Sequence, residues 1–475
     1  MRKEPRHARH ASNFPVDPVF IGLGVLWIGF TAFKLAMAVA GQPWIYPDSK
    51  GYEAVGNLPL LSSGFLAGSR PILIPLMWKI TGSTTSFLVL QTLFSTLCWG
   101  ALALSVASKI QHRWRSLLGG VAILTFALSP TIIIWDRVVL SETVSLGFIA
   151  LLLAEAIWIS NRVSAWRLAI VALTLCGFVT VRDEDIWTTL LAAAALLAVA
   201  LSGWIRTRSW SRPVVASFLV CLVIALSAQA VALDSGRNVL NVEDTLKVRV
   251  FPYPSIVDWF AARGMPQAAL IKATPLENPA TIGRPSSAYF STVDFTSPRF
   301  RQLNQWVHRS GATTYLEWLV LHPVYDLTAP FRMPRLSEYD MGDGSILAYS
   351  YQSPAWETGL GNVIYPSWEA VLAMSLLGSM IAFERRMLSL RHIQIALVLI
   401  VLGVLSLFIT WHAEAYEVVR HMLEGDVEAR LGALSLLLFA ALCDRPQNEG
   451  TCEASLVEVA PEAIEAKQSV AAPSR

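Results

Sequence analysis

The amino-acid sequence predicts an all-α polytopic membrane protein with about ten transmembrane helices and an extracytoplasmic cap of mixed structure. Hydrophobic residues make up 54% of the 475 residues and charged residues only 15%, whereas soluble domains carry about 25% charged residues. Runs of about twenty apolar residues, the length that crosses a bilayer as a helix, recur along the chain. The net charge of +2 offers no bulk attraction for nucleic acid, so no nucleic-acid partner is expected.

Ten apolar segments are the predicted spans. They lie at 19–40, 84–108, 117–135, 140–160, 167–181, 186–204, 213–233, 367–384, 393–411 and 430–443. The first has no small-residue cleavage site after it, so it is interpreted as an anchoring span and not as a cleaved signal peptide. The piece 71–81, "PILIPLMWKIT", is too short to cross and is predicted to be a helix on the membrane surface.

The distribution of Lys and Arg in the short loops predicts the orientation of these spans. Loops of one parity hold sixteen Lys and Arg residues, and loops of the other parity hold seven. Because the cytoplasmic side carries the excess of positive residues, both termini are expected in the cytoplasm. The expected location is a bacterial plasma membrane, crossed many times, with the first outer loop at residues 41–83 and the active face extracytoplasmic.

The same reasoning divides the chain into five regions. They are a basic cytoplasmic N-terminus at 1–18, a transmembrane core of seven spans at 19–233, an extracytoplasmic cap at 234–366, three further spans at 367–443 and a disordered cytoplasmic tail at 444–475. The cap is predicted to be ordered because it is rich in aromatic residues. No hydrophilic loop holds a pair of the five cysteines, so no disulfide framework is expected.

Acids and arginines gather in the predicted outer loops, whereas the inner loops are short and basic. In chain order, the four outer loops carry Asp48, Tyr52, Glu53 and Arg70, then Asp136, Arg137 and Glu142, then Arg182, Asp183, Glu184 and Asp185, and finally His412, Glu414, Arg420, His421 and Glu428. Loops far apart in sequence therefore present this chemistry at the same predicted membrane face.

Each of these residues also has a plain structural explanation. Carboxylates outside and cations inside partly follow from the orientation rule itself, and neighbours such as Asp136 and Arg137 fit solvated helix ends. Asp48 fits the N-cap of a helical turn formed by "SKGYEAVG". Lys34 and Glu155 lie inside predicted spans but near their ends, where snorkelling to the interface is the expected arrangement.

The outer-loop residues together resemble the GT-C class of membrane glycosyltransferases. Members have many spans and a cytoplasmic N-terminus. Their first outer loop carries Asp, Tyr and Ala, followed by an Arg-Pro segment. This chain has Asp48, Tyr52, Ala54 and "SRPILIPLMWKITG" in the same order. "LSET" at 140–143 resembles the Ser/Glu signature of the class, and "VRDEDIW" resembles its outer Arg-acid turn. The similarity extends from about residue 19 to 205.

The resemblance implies transfer of a hexose or pentose from a polyprenyl-phosphate carrier to a glycan, lipid or protein acceptor at the outer surface. A carboxylate must deprotonate the acceptor hydroxyl, and Asp48 is the catalytic candidate. Cations must stabilise the departing phosphate, and the planar fork of arginine suits it. The expected substrate-binding residues are Tyr52, Glu53, Arg70, Arg137, Glu142, Arg182, Glu184, Arg420 and His421.

The first outer loop departs from the class in one respect. Many relatives carry two adjacent acids there, whereas Asp48 is followed by Ser49 in this chain. No metal ligand is therefore assigned, no cofactor is required, and a divalent cation, Mg²⁺ or Mn²⁺, is left open. Arg182 and Arg420 rank first for the phosphate because each adjoins the end of a predicted span. Membrane lipid is the remaining expected partner.

Three other classes fit part of the pattern. A polymerase or ligase of lipid-linked saccharides would also have many spans, a large outer loop, and Arg and His as its principal residues. A transporter should carry ionisable residues or broken helices near mid-membrane, whereas the polar residues here lie at the predicted outer rim. A scaffold protein would present acids at one face without catalysing a reaction.

Overall fold

The computed structural model describes residues 18–40, 42–160, 164–208, 212–277, 290–332, 364–413 and 418–444. Over these ranges the chain is almost entirely helical, and its only strands are the two-residue β1 (Leu276–Glu277) and β2 (Phe290–Ser291), which pair antiparallel. The predicted basic N-terminus, apart from residue 18, and the predicted tail after residue 444 lie outside the described residues. The chain is an all-α membrane protein.

The helices follow one another along the chain with short connections. The first part of the described chain contains α1 (Pro18–Val39), α2 (Pro47–Gly56), α3 (Ser63–Leu66), α4 (Leu73–Thr81), α5 (Thr84–Ala107), α6 (Arg113–Ala127), α7 (Pro130–Ile133), α8 (Glu142–Ile159), α9 (Ala165–Val179), α10 (Asp185–Thr207) and α11 (Arg212–Asp234). The second part contains α12 (Arg237–Arg249), α13 (Pro254–Ala261), α14 (Ala268–Lys272), α15 (Arg301–Trp306), α16 (Ala312–Leu321), α17 (Pro323–Arg332), α18 (Trp368–Glu384), α19 (Arg391–Ala413) and α20 (Val418–Leu442).

Each of the ten segments that the sequence predicts as spans contains a helix in the structure. These helices are α1, α5, α6, α8 to α11 and α18 to α20. Among the described residues, five of them (α1, α5, α8, α11 and α19) are long and apolar enough to cross a membrane. A sixth is added if α6 and the bent segment after it count as one span. The remaining helices in the predicted segments are not counted as membrane spans by length and composition over the described residues.

The predicted third span, 117–135, is bent in the structure. α6 and the segment after it, Pro130–Arg137, meet at an angle of 55°. Pro130 has no backbone N–H and cannot bond back to α6, which ends the helix before it. The bent segment runs alongside the chain that follows α1, where the backbone N of Trp44 donates to the carbonyl of Arg137 at 3.1 Å. The segment after α1 and the segment before α8 are thereby tied together.

The last helix, α20, begins at Val418, well before the predicted start at residue 430, so the outer loop predicted there is helical. The physical reason is that its charged residues have partners. Arg430 pairs with Asp426 one turn earlier, and the Tyr365 hydroxyl donates to Asp426. α19 also packs directly against this part of α20, since a Cβ on Gly403 would lie 2.4 Å from a backbone nitrogen of α20.

Two ionisable residues that were predicted to snorkel are instead buried and paired, so that prediction is wrong. Lys34 Nζ is fully buried, 3.2 Å from Asp136 Oδ2 and 3.1 Å from Ser95 Oγ. Glu155 is buried and accepts a hydrogen bond from Thr174 Oγ1 at 2.7 Å. Asp136 neutralises Lys34 inside the bundle, and the Thr174 hydroxyl solvates one oxygen of Glu155, so neither side chain has to reach the interface.

Helices α12 to α17 form the described part of the predicted cap, in which residues 278–289 and 333–363 lie outside the description. α15 continues through a π-helical turn into α16, and the described part is helical apart from β1 and β2. The cap has its own apolar core, built around Phe260, Leu303 and Trp318. It is therefore an ordered unit and not a linker, as its aromatic content predicts.

The cap is fastened to the ends of the long helices. Thr245 Oγ1 on α12 donates to the carbonyl of Ala413 at 3.2 Å, at the end of α19. His412 Nε2 lies 2.9 Å from Asp326 Oδ1 on α17. Since both contacts involve the last two residues of α19, the cap lies over that end of the bundle.

The bundle has two chemically different ends. One, called the site end below, holds the C-terminus of α1 and the N-termini of α8, α10 and α20. The opposite end is basic: Lys109 Nζ donates to Ser160 Oγ at 3.1 Å, Arg391 donates to the Ser160 carbonyl at 2.8 Å, and Arg115 lies 3.5 Å from Asp444. A continuous apolar core of α1, α5, α6, α8 and α20 side chains separates the two ends.

Candidate functional site

Four segments of the chain meet at the site end. They are α2, the first turn of α8, the turn at 180–184 between α9 and α10, and the first two turns of α20. Neutral hydrogen bonds help to position them: Ser49 Oγ of α2 donates to the Val139 carbonyl, just before α8, at 2.7 Å, and Leu73 N at the start of α4 donates to the Thr180 carbonyl at 3.0 Å. These bonds set the spacing of the segments, so the charged side chains they carry can reach one another.

Asp48 lies in the first turn of α2, which begins at Pro47. Proline fits the first helical position because its missing N–H has no partner there, and the helix dipole favours a carboxylate in that turn. The N-cap position belongs to Tyr46, so the alternative in which Asp48 caps this helix is wrong. The two Asp48 oxygens instead contact Arg70 Nη2 at 2.7 Å and Arg420 Nη2 at 3.0 Å.

The two guanidinium groups determine the charge of Asp48. Burial alone would raise the pKa of its carboxyl group, but Arg420 and Arg70 together lower that pKa below its ordinary value. The carboxylate is therefore ionised at neutral pH. Its side chain is still 27% exposed, so a ligand can reach it from the surface.

Arg70 reaches Asp48 across the surface of α2. Its side chain lies against Gly51, where a Cβ would be only 2.8 Å from Arg70 Nε, so any other residue would displace the guanidinium. The guanidinium also lies 5.4 Å from the centre of the Tyr52 ring. Tyr52 is buried with its hydroxyl 3.5 Å from Ser141 Oγ, and burial raises its pKa to about 12. Tyr52 is thus an uncharged aromatic side chain that packs beneath the Arg70 guanidinium.

Arg420 connects Asp48 to the interior of the cluster. Its Nε lies 3.5 Å from Glu142 Oε1, and the same oxygen lies 3.9 Å from Arg182 Nη1. Glu142 is the first residue of α8 and is buried, where the helix dipole favours its negative charge. Its other oxygen, Oε2, is buried and has no hydrogen-bond partner in the described part of the chain. One carboxylate oxygen of Glu142 therefore contacts two arginines of the cluster, and the other has no hydrogen-bond donor among the described residues.

Arg182 is enclosed by carboxylates. Its Nη1 lies 2.9 Å from Glu424 Oε1 and its Nε lies 3.4 Å from Glu184 Oε2, with only 3% of the side chain exposed. Burial would lower the pKa of Arg182, but Glu424, Glu184 and Glu142 raise it well above its ordinary value. The guanidinium is permanently charged, and Glu424 and Glu184 lie against its Nη1 and Nε donors.

His421 lies between the two buried arginines. Its Nδ1 lies 2.6 Å from Glu184 Oε1 and 2.9 Å from Arg182 Nη2, and its Nε2 lies 3.3 Å from Arg420 Nη2. A proton on Nδ1 is donated to Glu184 and leaves Nε2 free to accept from Arg420, so this tautomer fits two of the three contacts and leaves Arg182 Nη2 without an acceptor on the ring. Burial would raise the pKa of Glu184, but Arg182 and His421 lower it below its ordinary value. Glu184 is therefore an anion.

Several predicted residues lie apart from this cluster. Glu53 is exposed on α2. Arg137 Nε donates to the Met37 carbonyl at 2.6 Å, which directs it to the last turns of α1. His412 binds the cap, and Glu414 lies outside the described residues. The structure thus brings together Asp48, Tyr52, Arg70, Glu142, Arg182, Glu184, Arg420 and His421.

Sequence reasoning did not select Glu424 and Asp185 for the site. Glu424 lies one helical turn after Arg420, and this spacing would have indicated a shared face if the start of α20 had been predicted correctly. Asp185 begins α10 and accepts a hydrogen bond from Ser145 Oγ at 3.1 Å. Both acids are buried beside Arg182, and burial together with the neighbouring Glu424 raises the pKa of Asp185 well above its ordinary value, which favours its neutral form.

Arg237, at the start of α12, is a further site residue that sequence reasoning did not select. Its Nε and Nη2 each lie 3.0 Å from an oxygen of Asp183, and its Nη1 donates to the Gly68 carbonyl at 3.1 Å. Asp183 is the neighbour of Arg182, and Gly68 stands two residues before Arg70. One guanidinium therefore holds the two turns that carry these arginines.

Asp48, Glu142, Glu184 and Glu424 all lie within ion-pair distance of a guanidinium group. Within the ranges that the structure describes, no group of three or more His, Cys, Asp or Glu side chains could hold a metal ion. No protein-family model matches this chain, and no curated protein matches it significantly in sequence. The fold and the site therefore define the class on their own: a helical membrane protein with a partly open arginine–carboxylate cluster at one end of its bundle.

Proposed function

We propose that this chain is a GT-C-type membrane glycosyltransferase, which moves a sugar from a polyprenyl-phosphate carrier to an acceptor hydroxyl on a glycan, lipid or protein. The observation that supports this most is the Asp48 carboxylate held between the guanidinium groups of Arg70 and Arg420. Two arginine forks that converge on one anion suit a phosphate as well as a carboxylate. Arg70 and Arg420 are thus the proposed binding groups for the donor phosphate, and the Asp48 carboxylate lies beside them.

In this proposal the ten helices in the predicted segments all cross the membrane. The site end faces outward from a bacterial plasma membrane, and both termini are cytoplasmic. The basic residues at the opposite end, such as Lys109, Arg115 and Arg391, support this orientation because cytoplasmic faces carry the excess of positive charge. The cap then lies outside, over the site.

The donor phosphate takes the place of the Asp48 carboxylate on Arg70 and Arg420. Arg70 is 31% exposed, so a lipid headgroup can reach it without unfolding the cluster. As the bond between the anomeric carbon and the phosphate oxygen breaks, its electron pair leaves with the phosphate. The two guanidinium groups stabilise the charge that grows there.

Asp48 then acts as the general base. Without its two cationic partners, the pKa of its partly buried carboxyl group rises, because burial favours the neutral form. The acceptor oxygen attacks the anomeric carbon while its proton passes to Asp48. Glu142 Oε2, buried and without a hydrogen-bond partner among the described residues, accepts a sugar hydroxyl in this scheme. The scheme uses no metal ion, and activity with and without Mg²⁺ or Mn²⁺ tests that point.

The remaining residues of the proposed site orient these groups. Arg182 has its donors on Glu424 and Glu184, so its role is to hold the turn at 180–184 against α20 while its charge favours an anion nearby. His421 fixes Arg420 through Nε2. Tyr52 supports Arg70, and Glu53 and Arg137 are proposed to contact the acceptor at the edge of the site.

The test is transfer of labelled sugar by the full-length protein in vesicles. The donors are lipid-linked hexoses and pentoses on polyprenyl phosphate and, separately, an oligosaccharide-lipid. The acceptor is a cell-envelope extract, and wild type is compared with Asp48→Asn at equal protein amount. Asn keeps the shape of Asp but takes no proton, and loss of a general base typically costs about two to four orders of magnitude in rate. Asp258→Asn is the matched control, because it removes an exposed cap carboxylate paired with Lys272.

Three outcomes decide the proposal. Transfer by wild type and Asp258→Asn, but not by Asp48→Asn, supports it. Equal rates for all three chains contradict the role of Asp48. Transfer only from an oligosaccharide-lipid donor replaces the proposal with a polymerase or ligase of lipid-linked saccharides.

A further inference from the structure

The cap carries an apolar surface that no described element covers. Five large hydrophobic side chains on α16 and α17, called the apolar strip below, are each more than half exposed. They are Leu316 (56%), Val320 (76%), Leu321 (54%), Val324 (70%) and Leu327 (60%). Scattered exposed hydrophobic residues are normal, but a run of them along consecutive helical turns marks an interaction surface.

The strip is one face of an amphipathic segment. The opposite face of α16, with Tyr315, Trp318 and Leu319, is buried in the core of the cap. Leu316 and Val320 lie one turn apart, and Val324 continues the same spacing after the break at His322. Glu317, a charged residue next to Leu316, points away from the strip: its Oε1 lies 2.8 Å from Nε of Arg263, which follows α13. The strip itself therefore contains no charged side chain.

The C-terminal end of α17, which follows the strip, lies beside the membrane-crossing part of the bundle. Ala329, in the last turn of α17, is buried in one cluster with Leu407 and Trp411 of α19. α19 is long and apolar enough to cross a membrane and ends at Ala413. At 1.5 Å per residue, Leu407 lies about 9 Å inside that end. α17 thus descends beside the last turns of a membrane-crossing helix.

α19 itself exposes apolar side chains of the kind that membrane-crossing helices turn to lipid. α19 exposes Val401, Val404 and Leu405 on the part of its surface that packs against no other helix, at 56%, 48% and 41%. Apolar side chains at this depth meet acyl chains, whereas a soluble partner would have to reach below the edge of the bilayer. An amphipathic helix in this position buries its apolar face at the boundary between headgroups and acyl chains.

We propose that α16 and α17 are an interfacial membrane anchor of the cap, with the apolar strip inserted into the bilayer on the side of the site end. The occupant of the strip is lipid. This holds the cap at a fixed height above the cluster of Asp48, Arg70 and Arg420. The proposal needs only that α19 crosses the membrane, and it does not depend on the reaction catalysed at the site.

Spin labels test the position of the strip in the full-length protein. Single cysteines replace Val320 and Val324, and Gln305→Cys, at an exposed position of α15, is the control. The five native cysteines are replaced by serine. The labelled proteins are reconstituted in vesicles of phosphatidylcholine and phosphatidylglycerol. Collisions with oxygen, which concentrates in lipid, are compared with collisions with a water-soluble nickel chelate.

The expected result is that oxygen collisions exceed nickel collisions at 320 and 324, and that the order reverses at 305. Nickel collisions in excess at all three positions place the strip in water and overturn the proposal. Low collision rates with both reagents at 320 and 324 show that protein covers the strip, either a second copy or another segment, and also overturn it.

A second measurement uses the unmodified chain and so does not depend on how the variants fold. A lipid-partitioned diazirine reagent is photolysed in the same vesicles, and the labelled residues are mapped by mass spectrometry. Labelling within 316–327, at a level similar to that in α19, is expected. Labelling of α19 without any in 316–327 contradicts the proposal, and α13 and α14 serve as the unlabelled reference from the same cap.

Discussion

Asp48 and Arg420 are 372 positions apart in the chain, and their side chains meet at 3.0 Å. Asp48 lies on α2, which follows the first long helix, and Arg420 lies in the first turn of α20, the last helix. This pair therefore joins segments from the beginning and the end of the described chain. Arg70 adds a third contribution on the other oxygen of Asp48. The pair therefore forms only when α2 and the start of α20 lie side by side, and Asp48 is the anion that a bound phosphate would have to displace from the two arginines.

The variant Asp48→Asn is expected to bind polyprenyl phosphate more tightly than wild type, although it transfers no sugar. Asn carries no charge, so Arg70 and Arg420 lose the anion with which phosphate competes. Hydrogen bonds to charged groups contribute about 1.5–3 kcal/mol, which corresponds to a Kd lower by about tenfold or more. Binding of polyprenyl phosphate without a sugar, measured in nanodiscs, checks this. A weaker Kd for Asp48→Asn contradicts the idea that carboxylate and phosphate share one place.

The same ion pairs make stability depend on pH. The folded-state pKa of Asp48 lies below its ordinary value of 3.8, so the stabilisation is present above that value and is lost as the pH falls through the folded-state pKa. The difference in Tm between wild type and Asp48→Asn should stay constant from about pH 8 to pH 5 and shrink below about pH 4. Thermal unfolding across this range is the measurement. A difference that grows toward acid pH would falsify the ion-paired state of Asp48.

Lys34 and Asp136 should be strongly coupled, because both are fully buried. Removal of one partner leaves an uncompensated charge and typically costs about 3–5 kcal/mol, whereas an apolar pair of similar size can be neutral. Lys34→Met and Asp136→Leu should each lower the Tm, and the double variant should recover most of the loss. A double-mutant cycle on thermal unfolding measures this. Additive losses mean that the two side chains do not interact.

Arg237→Ala should impair catalysis by misplacing Arg70 and Arg182, since its side chain joins the turns that carry them. The expected result is a higher KM for the donor with a smaller change in kcat, because the reacting groups themselves are retained. Arg237→Lys should rescue only in part, because Lys lacks the bidentate fork. Arg263→Ala is the matched control, since it removes an arginine paired with Glu317 in the cap. Equal KM values for the two Ala variants would contradict the positioning role.

Reporter fusions are expected to place the two ends of the bundle on opposite sides of the membrane. A fusion at residue 300, inside the cap, should report the outside, and fusions after Ser160 and after Arg475 should report the cytoplasm. The reason is the excess of Lys and Arg at the end that carries Ser160. The same side for residue 300 and for either of the other positions contradicts the proposed topology.

Much of the helical framework could be predicted because apolar runs act locally. The segment predicted at 84–108 is α5 (Thr84–Ala107), and the segment predicted at 140–160 contains α8 (Glu142–Ile159). The predicted helix bounds were wrong where residues distant in the sequence stabilise a charged segment as a helix. The start of α20 was missed because its first turns are charged, and those charges are tolerated only through pairs such as Asp426 with Arg430.

The sequence by itself determined that the chain is a helical membrane protein and which segments carry its acids and arginines. These follow from hydrophobicity and from residue type, which need no knowledge of neighbours. Only the tertiary structure decided which charge faces which. In the folded chain, Asp48 pairs with Arg70 and Arg420. Arg182 pairs with Glu424 and Glu184, and Lys34 pairs with Asp136. The physical reason is that an ion pair depends on the distance and burial of two groups, and both are properties of the packed helices.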